Sequence, residues 1–456
     1  MGFFKAYDMR GTFGADFDLE TVRKVGRALP QVVGGRRWLV GRDCRTTSKD
    51  VRDALVDGLV AAGADVTDIG LCTTPMVYFF TARDGYDGSV MVTASHNPPS
   101  DNGLKVSKRT ALPVGYADGL DAVERLVSGP QPPPAAGRGT VRTPEDALGR
   151  YVAWQREHAG TGTDAVSSVR FAVDCSNGMA SLLVRELFPG AVVINDVLDG
   201  TFPNHSPNPL KDEAREQVAR LVRERGLDCG VIFDGDADRA MFVDERGEFV
   251  QPDYLIPAIA RMTLAAAPSR SARPRVIHDV RTSRGAVEAL EELGCEPVMV
   301  PVGHAFAKPL LRRTGAVCGG ELAGHYYFSE FFGCDSGVLA ALRVLSAIAV
   351  AKAEGRTFSQ LMAPVVGRYA NSGELNFRVE DKDAAIARVL ATAAAKLPRE
   401  VSRSDMDGVR IEFADGWVNV RKSNTEPYLR LLVEARTPAM RDEWCRLLED
   451  AINGRG

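Results

Sequence analysis

The run Ser89-Val90-Met91-Val92-Thr93-Ala94-Ser95-His96-Asn97-Pro98-Pro99 decides how this chain is read. Its first four residues have the character of a short buried strand. Two prolines then forbid continuation as helix or central strand. Ser95 is thereby set on a turn at a strand end, with His96 beside it. Alone, such a pair is an ordinary Asn-Pro turn carrying a solvated serine. Two later strand ends with complementary chemistry change that reading.

The surrounding pattern occurs three times. Trp38-Leu39-Val40 reads as a strand, followed by Asp43, a helix through Leu59, a stop at Gly63 and a second strand at Val66-Thr67-Asp68-Ile69. Phe171-Ala172-Val173 ends in Asp174; a helix is expected through Leu187, then Gly190 and a strand from Ala191 to Ile194. Val276-Ile277-His278 ends in Asp279, with a helix to Leu293, a stop at Gly294 and the strand Val298-Met299-Val300. Each copy closes on a further strand and a polar loop. These loops are Thr93 to Pro98, Asp234-Gly235-Asp236-Ala237-Asp238-Arg239 after Val231-Ile232-Phe233, and Gly319 to His325 after Ala316-Val317-Cys318. This is a degenerate repeat at domain scale. Strands alternating with helices imply mostly parallel sheets covered on both faces, which bind ligands beyond the carboxyl ends of their strands. Beyond Val366 the character shifts to α+β: Glu374 to Val379 alternates with period two, Ala384 to Leu397 is helical, Val409 to Phe413 and Trp417 to Arg421 resemble hairpin strands, and a helix runs from Pro438 to Ile452.

Composition narrows the function classes. Of 456 residues, 45% are hydrophobic and 25% charged, ordinary for a soluble globular protein, and the net charge of −4 is close to neutral. No basic block stands out, which argues against nucleic acid or an anionic membrane as partner. Eight scattered cysteines without a Cys-x-x-Cys pair disfavour a zinc site and a disulfide scaffold. Cys72, Cys175, Cys229 and Cys318 lie in or beside apolar runs and read as buried free thiols in a reducing compartment. Met1 to Phe13 lacks a secretory pattern. Val338 to Val350 is interrupted by Arg343 and too short to span a bilayer. A cytoplasmic location is expected.

The chemistry lies in the loops. Asp234, Asp236 and Asp238 alternate along extended chain, so their carboxylates can turn to one point, and a few hard oxygen ligands suit Mg²⁺. Asp234 to Glu245 also matches an EF-hand loop at four positions, but Arg239 stands where that loop needs glycine, and strands flank it in place of helices. Arg421-Lys422-Ser423-Asn424-Thr425-Glu426-Pro427, between two strands, offers an anion cradle in which Arg421 can bind phosphate oxygens bidentately. A polar hairpin turn would look the same. Gly320-Glu321 and Gly324-His325 supply a carboxylate and an imidazole suited to gripping sugar hydroxyls. Lys105 is either a snorkelling surface lysine or a charge near Ser95, and the loop favours the latter. His96, His304 (after Gly303) and His325 sit in loops of this kind, whereas His158, His205 and His278 read as surface or structural residues.

Thr93 to Pro98, Asp234 to Arg239, Gly320 to His325 and Arg421 to Pro427 together resemble the four signature loops of the α-D-phosphohexomutases, the phosphomannomutase/phosphoglucomutase family. Tyr7-Asp8-Met9-Arg10-Gly11 resembles the family's N-terminal motif, and the likeness runs in order from residue 5 to about 436. It implies three related mixed-sheet α/β domains (1–145, 146–250 and 251–366) and a smaller C-terminal α+β domain (367–456) around a central cleft. It further implies a phosphoryl group on Ser95, with Mg²⁺ held by that phosphate and by Asp234, Asp236 and Asp238. Phosphoserine would donate to a hexose monophosphate, giving a hexose 1,6-bisphosphate that turns over and returns its other phosphate. By the same resemblance Arg421, Ser423, Asn424 and Thr425 anchor the remote phosphate, and Arg430 is a further substrate-binding residue. Tyr7, Arg281, Gly303, His304, Glu321 and Ala323 contact the sugar phosphate, while Arg10, Lys105 and Arg239 stabilise transferring charge. His96, Lys105 and His325 all qualify for proton transfer. Ala323 stands where many relatives have serine, and Arg281 where many have lysine, so the preferred sugar stays open among mannose, glucose and glucosamine phosphates. A Mg²⁺-dependent phosphatase using Asp234 as nucleophile and a non-catalytic sugar-phosphate binder are the competing classes. The small-molecule partners implied are hexose phosphates, with the protein a monomer or homodimer.

Overall fold

The computed structural model describes residues 2–130, 135–159, 166–267, 271–423 and 427–455. Four separate sheets follow one another along the chain. The first contains β1 (Met9–Thr12), β2 (Arg37–Arg42), β3 (Asp65–Leu71), β4 (Gly88–Val92), β5 (Asp101–Lys108), β6 (Leu112–Pro113) and β7 (Val141–Arg142). The second holds β8 (Phe171–Asp174), β9 (Val192–Ile194), β10 (Cys229–Phe233), β11 (Ala240–Asp244) and β12 (Phe249–Val250). The third holds β13 (Arg275–Asp279), β14 (Glu296–Val300), β15 (Cys318–Gly320), β16 (Tyr326–Phe328) and β17 (Cys334–Asp335).

Strand order shows the repeat directly. The shared part runs β3-β2-β4-β5 in the first sheet, β9-β8-β10-β11 in the second and β14-β13-β15-β16 in the third. In each, the first three strands are parallel and the fourth returns antiparallel. The sheets are therefore mixed. All three polar loops found in the sequence occupy one topological place, the turn into the antiparallel strand. The repeat extends to side chains: Asp43, Asp174 and Asp279, just after β2 or at the ends of β8 and β13, each accept the backbone N–H two residues on, at 3.0, 2.8 and 2.7 Å.

Two expectations needed correction in detail. The helix expected between Asp174 and Leu187 is a 3₁₀ turn (Met179–Leu182) and a single helical turn (Val184–Leu187). Ser176 and Asn177 adopt φ of +52°, and a Cβ on Gly178 would lie 2.6 Å from the Gly235 carbonyl oxygen, so the chain must hug the Asp234 loop before it can coil. Likewise Gly319 and Gly320 belong to β15 and not to the loop after it. A Cβ on Gly319 would meet Ile277 Cγ1 at 2.2 Å.

The three repeats share one apolar core. Phe79, on the helix Thr74–Arg83, packs against Tyr151 and Trp154 of the helix Ala147–His158, and against Phe331 of the third repeat, with ring centroids 5.4, 5.6 and 6.3 Å apart. The fourth sheet contains β18 (Ala370–Asn371), β19 (Leu375–Phe377), β20 (Glu400–Ser404), β21 (Val409–Phe413), β22 (Gly416–Lys422) and β23 (Leu429–Ala435), in the order β18-β23-β22-β21-β20 with β19 also on β23. It has its own core with the helices Lys382–Lys396 and Pro438–Ile452. Polar contacts fasten it to the third repeat: Arg284 donates to the carbonyls of Ala414, Phe413 and Gly416 and pairs with Glu412. Arg410 donates to the carbonyls of Val280 and Thr282. Among the described residues, no helix is long and apolar enough to cross a membrane.

His205 is structural. Its Nε2 lies 3.1 Å from Asp174 Oδ2 and its Nδ1 2.8 Å from the Ser206 carbonyl oxygen. Against the cost of burial, the Asp174 carboxylate raises its pKa above 6.5. The imidazolium therefore stabilises the fold fully below the unfolded value and loses that contribution as pH rises through the higher folded value. Thermal unfolding should show His205→Gln destabilised relative to wild type at about pH 6, with the gap narrowing by about pH 9. A gap independent of pH would refute the assignment.

Candidate active site

Ser95 leaves the end of β4 with φ of +50°, a left-handed conformation rare for a residue with a Cβ. Its N–H donates to Thr93 Oγ1 at 2.9 Å. The loop is held from beneath by a residue the sequence reading did not single out. Arg45 is fully buried and donates to the carbonyl oxygens of Ser95 (2.9 Å), Asn97 (2.7 Å), Pro98 (2.6 Å) and Asp101 (2.9 Å). A planar guanidinium can satisfy several carbonyls of one curved loop, which an ammonium cannot do with fixed geometry.

The Ser95 hydroxyl is 2.8 Å from Asp234 Oδ2 and 3.3 Å from His96 Nδ1. Asp234, Asp236 and Asp238 are fully buried and able to offer oxygens to one point. Their loop joins the antiparallel strands β10 and β11, so it is no EF-hand. Three buried carboxylates repel one another, and the surrounding cations answer that repulsion. Lys105, on β5, lies 2.7 Å from both Asp236 and Asp238, and Arg239 reaches Asp234 at 3.0 Å. Arg10 donates to Asn97 Oδ1 at 3.0 Å and pairs with Asp8 at 2.5 Å.

Electrostatics follow from this packing. Burial, then the Asp238 and Asp236 charges, push Asp234 up to about 7. Against burial and the Asp238 charge, the Lys105 ammonium and Thr74 hydroxyl hold Asp236 below the usual carboxylate range. Against burial, Lys105 and His325 do the same for Asp238. Buried Oδ1 atoms of Asp236 and Asp238 have no hydrogen-bond donor among the described residues. Such oxygens suit a hard cation, and the chain thus has an acidic group that could hold a metal. Asp238, His325 and Asp335 form a second cluster of possible ligands, but there Lys308 already lies 2.7 Å from Asp335.

The third loop meets the second through backbone: Arg239 and His325 form an antiparallel bridge. Glu321 accepts from the Tyr327 hydroxyl at 2.7 Å, and burial raises its pKa. His325 Nδ1 is 2.8 Å from Asp335 Oδ2. Against burial, Asp238 and Asp335 raise the His325 pKa, whereas burial and then Arg239, Arg10 and Lys105 drive His96 well below its ordinary value. Burial and Lys308 lower His304 in the same way. Tyr7 stands edge-on to His304 and Phe306, and Gly303 (φ +120°) lets the chain pass its ring. Ala323 is half-buried in the turn.

A second group gathers on the fourth sheet. Arg421 and Arg430 are directly opposed on β22 and β23. Arg281, bound to Asp279 at 2.6 Å, approaches them through Glu374. Ser423 closes the strand turn, its N–H donating to the Tyr428 carbonyl at 3.0 Å. Asn424 and Thr425 lie outside the described residues.

The models of all four domains of the phosphoglucomutase/phosphomannomutase family match this chain, α/β/α domains I, II and III at residues 1–129, 150–247 and 251–369 and the C-terminal domain at 374–449. The chain belongs to that family. It is a phosphohexomutase, an intramolecular phosphotransferase, and enzymes of this family are generally metal-dependent. It is 37% identical to the phosphohexose mutases of Xanthomonas campestris pv. campestris strain B100 over 444 residues, 96% of this chain and 95% of that protein. It is 36% identical to a phosphomannomutase of Salmonella montevideo, covering 95% and 94% of the two chains. A solved phosphoglucomutase/phosphomannomutase family protein from Burkholderia thailandensis is 30% identical and superposes with a TM-score of 0.83, covering 99% of this chain and 97% of the other.

Besides Arg45, the sequence reading of this phosphohexomutase overlooked Thr74, whose hydroxyl donates to Asp236 at 2.6 Å, and the Asp335–Lys308 pair behind His325. A Cβ on Gly235 would lie 2.5 Å from the Ser95 carbonyl oxygen, so the serine and aspartate loops touch backbone to backbone. Gly235→Ala should retain the fold by circular dichroism yet lower kcat about a hundredfold, the usual consequence of a displacement near 1 Å at reacting groups. Undiminished turnover would show that this approach is not needed.

Proposed function

We propose that this chain interconverts the 1- and 6-phosphates of mannose or glucose, through a phosphoryl group carried on Ser95 and a hexose 1,6-bisphosphate intermediate. The observation that supports it most is the Ser95 hydroxyl 2.8 Å from a buried aspartate of a three-carboxylate cluster, with Lys105 and Arg239 against the same cluster. A serine that merely closed a turn would have no call for such surroundings.

Asp234, Asp236 and Asp238, with the Ser95 phosphate, would hold Mg²⁺, which supplies positive charge that neutralises the carboxylates and the transferring phosphoryl group. The side chains do the rest. A sugar hydroxyl oxygen forms a bond to phosphorus as the bond from phosphorus to Ser95 Oγ breaks, leaving the serine oxygen free to receive the other phosphate later. Of the three candidates for the hydroxyl proton, His325 fits best. Asp335 fixes a proton on Nδ1, so the neutral ring presents its lone pair at Nε2, and the pKa raised by Asp238 and Asp335 makes that nitrogen the stronger base. His96 lies among cations, and Lys105 is kept charged, with its pKa raised against burial by Asp236 and Asp238. Arg10, Lys105 and Arg239 spread the developing charge. Glu321 and His304 grip ring hydroxyls beside Tyr7, Gly303 and Ala323, while Arg281, Arg421, Ser423 and Arg430, with Asn424 and Thr425, anchor the remote phosphate. Both ends of the hexose must fit this one arrangement. The eight cysteines are unbridged, which suits a reducing compartment such as the cytoplasm.

Ser95→Ala should reduce mutase turnover at least ~10³-fold without lowering affinity for hexose phosphate. A phosphatase acting through Asp234 would keep its activity in that variant. Chelation with EDTA should abolish turnover and Mg²⁺ restore it; full activity after exhaustive chelation would refute the metal role. Mannose 1-phosphate, glucose 1-phosphate and glucosamine 1-phosphate assayed side by side give the sugar preference, with the glucosamine phosphate expected to be poorest.

A further inference from the structure

Arg421 and Arg430 stand directly opposite each other across β22 and β23. Like charges in that register destabilise a sheet unless an anion lies between them. Glu374 is that anion. Its Oε1 is 2.8 Å from Arg421 Nη2 and 3.7 Å from Arg281 Nη1, and its Oε2 is 3.2 Å from Arg430 Nη1. Against the cost of burial, the three arginines hold Glu374 below its ordinary range.

The four side chains are not equivalent. Arg281 keeps a second carboxylate, Asp279 at 2.6 Å, whereas among the described residues the next carboxylate to Arg421 is Asp407 at 3.9 Å. Side-chain exposure is 20% for Glu374, against 5%, 2% and 17% for Arg281, Arg421 and Arg430. Glu374 is thus the most open side chain of the group. It sits on the short segment between β18 and β19, two strands that both pair with β23 in the fourth sheet.

A phosphate dianion entering this clamp needs the same guanidinium N–H groups that Glu374 holds. We propose that Glu374 is a built-in competitor for the remote phosphate: it orders the arginines between substrates and takes them back when the bisphosphate must leave the clamp to present its other end. The proposal rests on the reading of Arg281, Arg421 and Arg430 as a phosphate anchor. A clamp without Glu374 would hold the intermediate more tightly and slow its turn. With a carboxylate ready to replace the phosphate, letting go costs less, and affinity is exchanged for turnover. Glu374 is then a positioning residue for the arginines, making no contact with the sugar.

The sign of one effect separates this from a purely structural role. If Glu374 only orders the arginines, its removal loosens phosphate binding. As a competitor, its removal tightens binding. Glucose 1,6-bisphosphate is titrated calorimetrically into Ser95→Ala, with and without Glu374→Gln. The added substitution should tighten binding about fivefold, the low end for coupled sites. In the Ser95 enzyme, Glu374→Gln should lower kcat and KM together with glucose 1-phosphate. Unchanged or weaker binding by a variant that melts cooperatively overturns the proposal. Should Glu374→Gln fail to fold, Glu374→Asp, which withdraws the carboxylate by one methylene, must also tighten binding or the proposal falls. Arg421→Ala serves as the control for the underlying reading. If it leaves bisphosphate affinity unchanged, there is no anchor. If it weakens affinity while Glu374→Gln fails to tighten it, the anchor stands and only the competitor is lost.

Discussion

Three carboxylates buried at one point govern the centre of this molecule. Asp234, Asp236 and Asp238 have no exposure to solvent, and in low dielectric their mutual repulsion must be met locally. The cations that meet it come from different places in the chain, Lys105 from the first repeat and Arg239 from the second. The charge cluster thus draws two domains together and puts the Ser95 hydroxyl where phosphate chemistry can occur. The arginines of the fourth sheet show the inverse case, like positive charges with the Glu374 carboxylate between them.

Geometry for this comes from one topological device used three times. A parallel βαβ unit followed by an antiparallel return leaves a turn at the carboxyl end of its third strand, and that turn is free to carry polar residues because the strands beneath are buried. The Ser95, Asp234 and Glu321 loops occupy this one place in three sheets. Even the aspartate that steadies the backbone after the first strand is kept in all three copies, and the residue two beyond it takes on local work: Arg45 supports the Ser95 loop, Ser176 donates to the Phe233 carbonyl, and Arg281 turns towards the anion clamp.

Much of this was legible in the sequence because the informative residues are contiguous. An Asp-x-Asp-x-Asp run or a serine between an apolar strand and two prolines carries its meaning within six residues. Residues whose partners lie far along the chain gave no such signal. Arg45 looks like any arginine near a helix start until Pro98 and Asp101 fold over it. Thr74 reads as a helix N-terminal threonine, and its bond to Asp236 spans 162 positions. Lys308 and Asp335 carry no local motif, although both are buried. Glu374 appeared only as one member of an alternating strand. The missing helix after Asp174 failed for a different reason: helical spacing was present, but close backbone approach to Gly235 left no room to use it.

Leu322, in the turn between β15 and β16, packs against Trp417 and Leu432 of the fourth sheet, and its N–H bonds to Asp279, the partner of Arg281. On the reading proposed above, the grip on the sugar and the grip on its distant phosphate would be coupled mechanically through one apolar contact. Were the fourth sheet to rock outward, it would strain both grips at once. A hexose bisphosphate would then be loosened at ring and phosphate in the same movement, as two fingers of one hand open together.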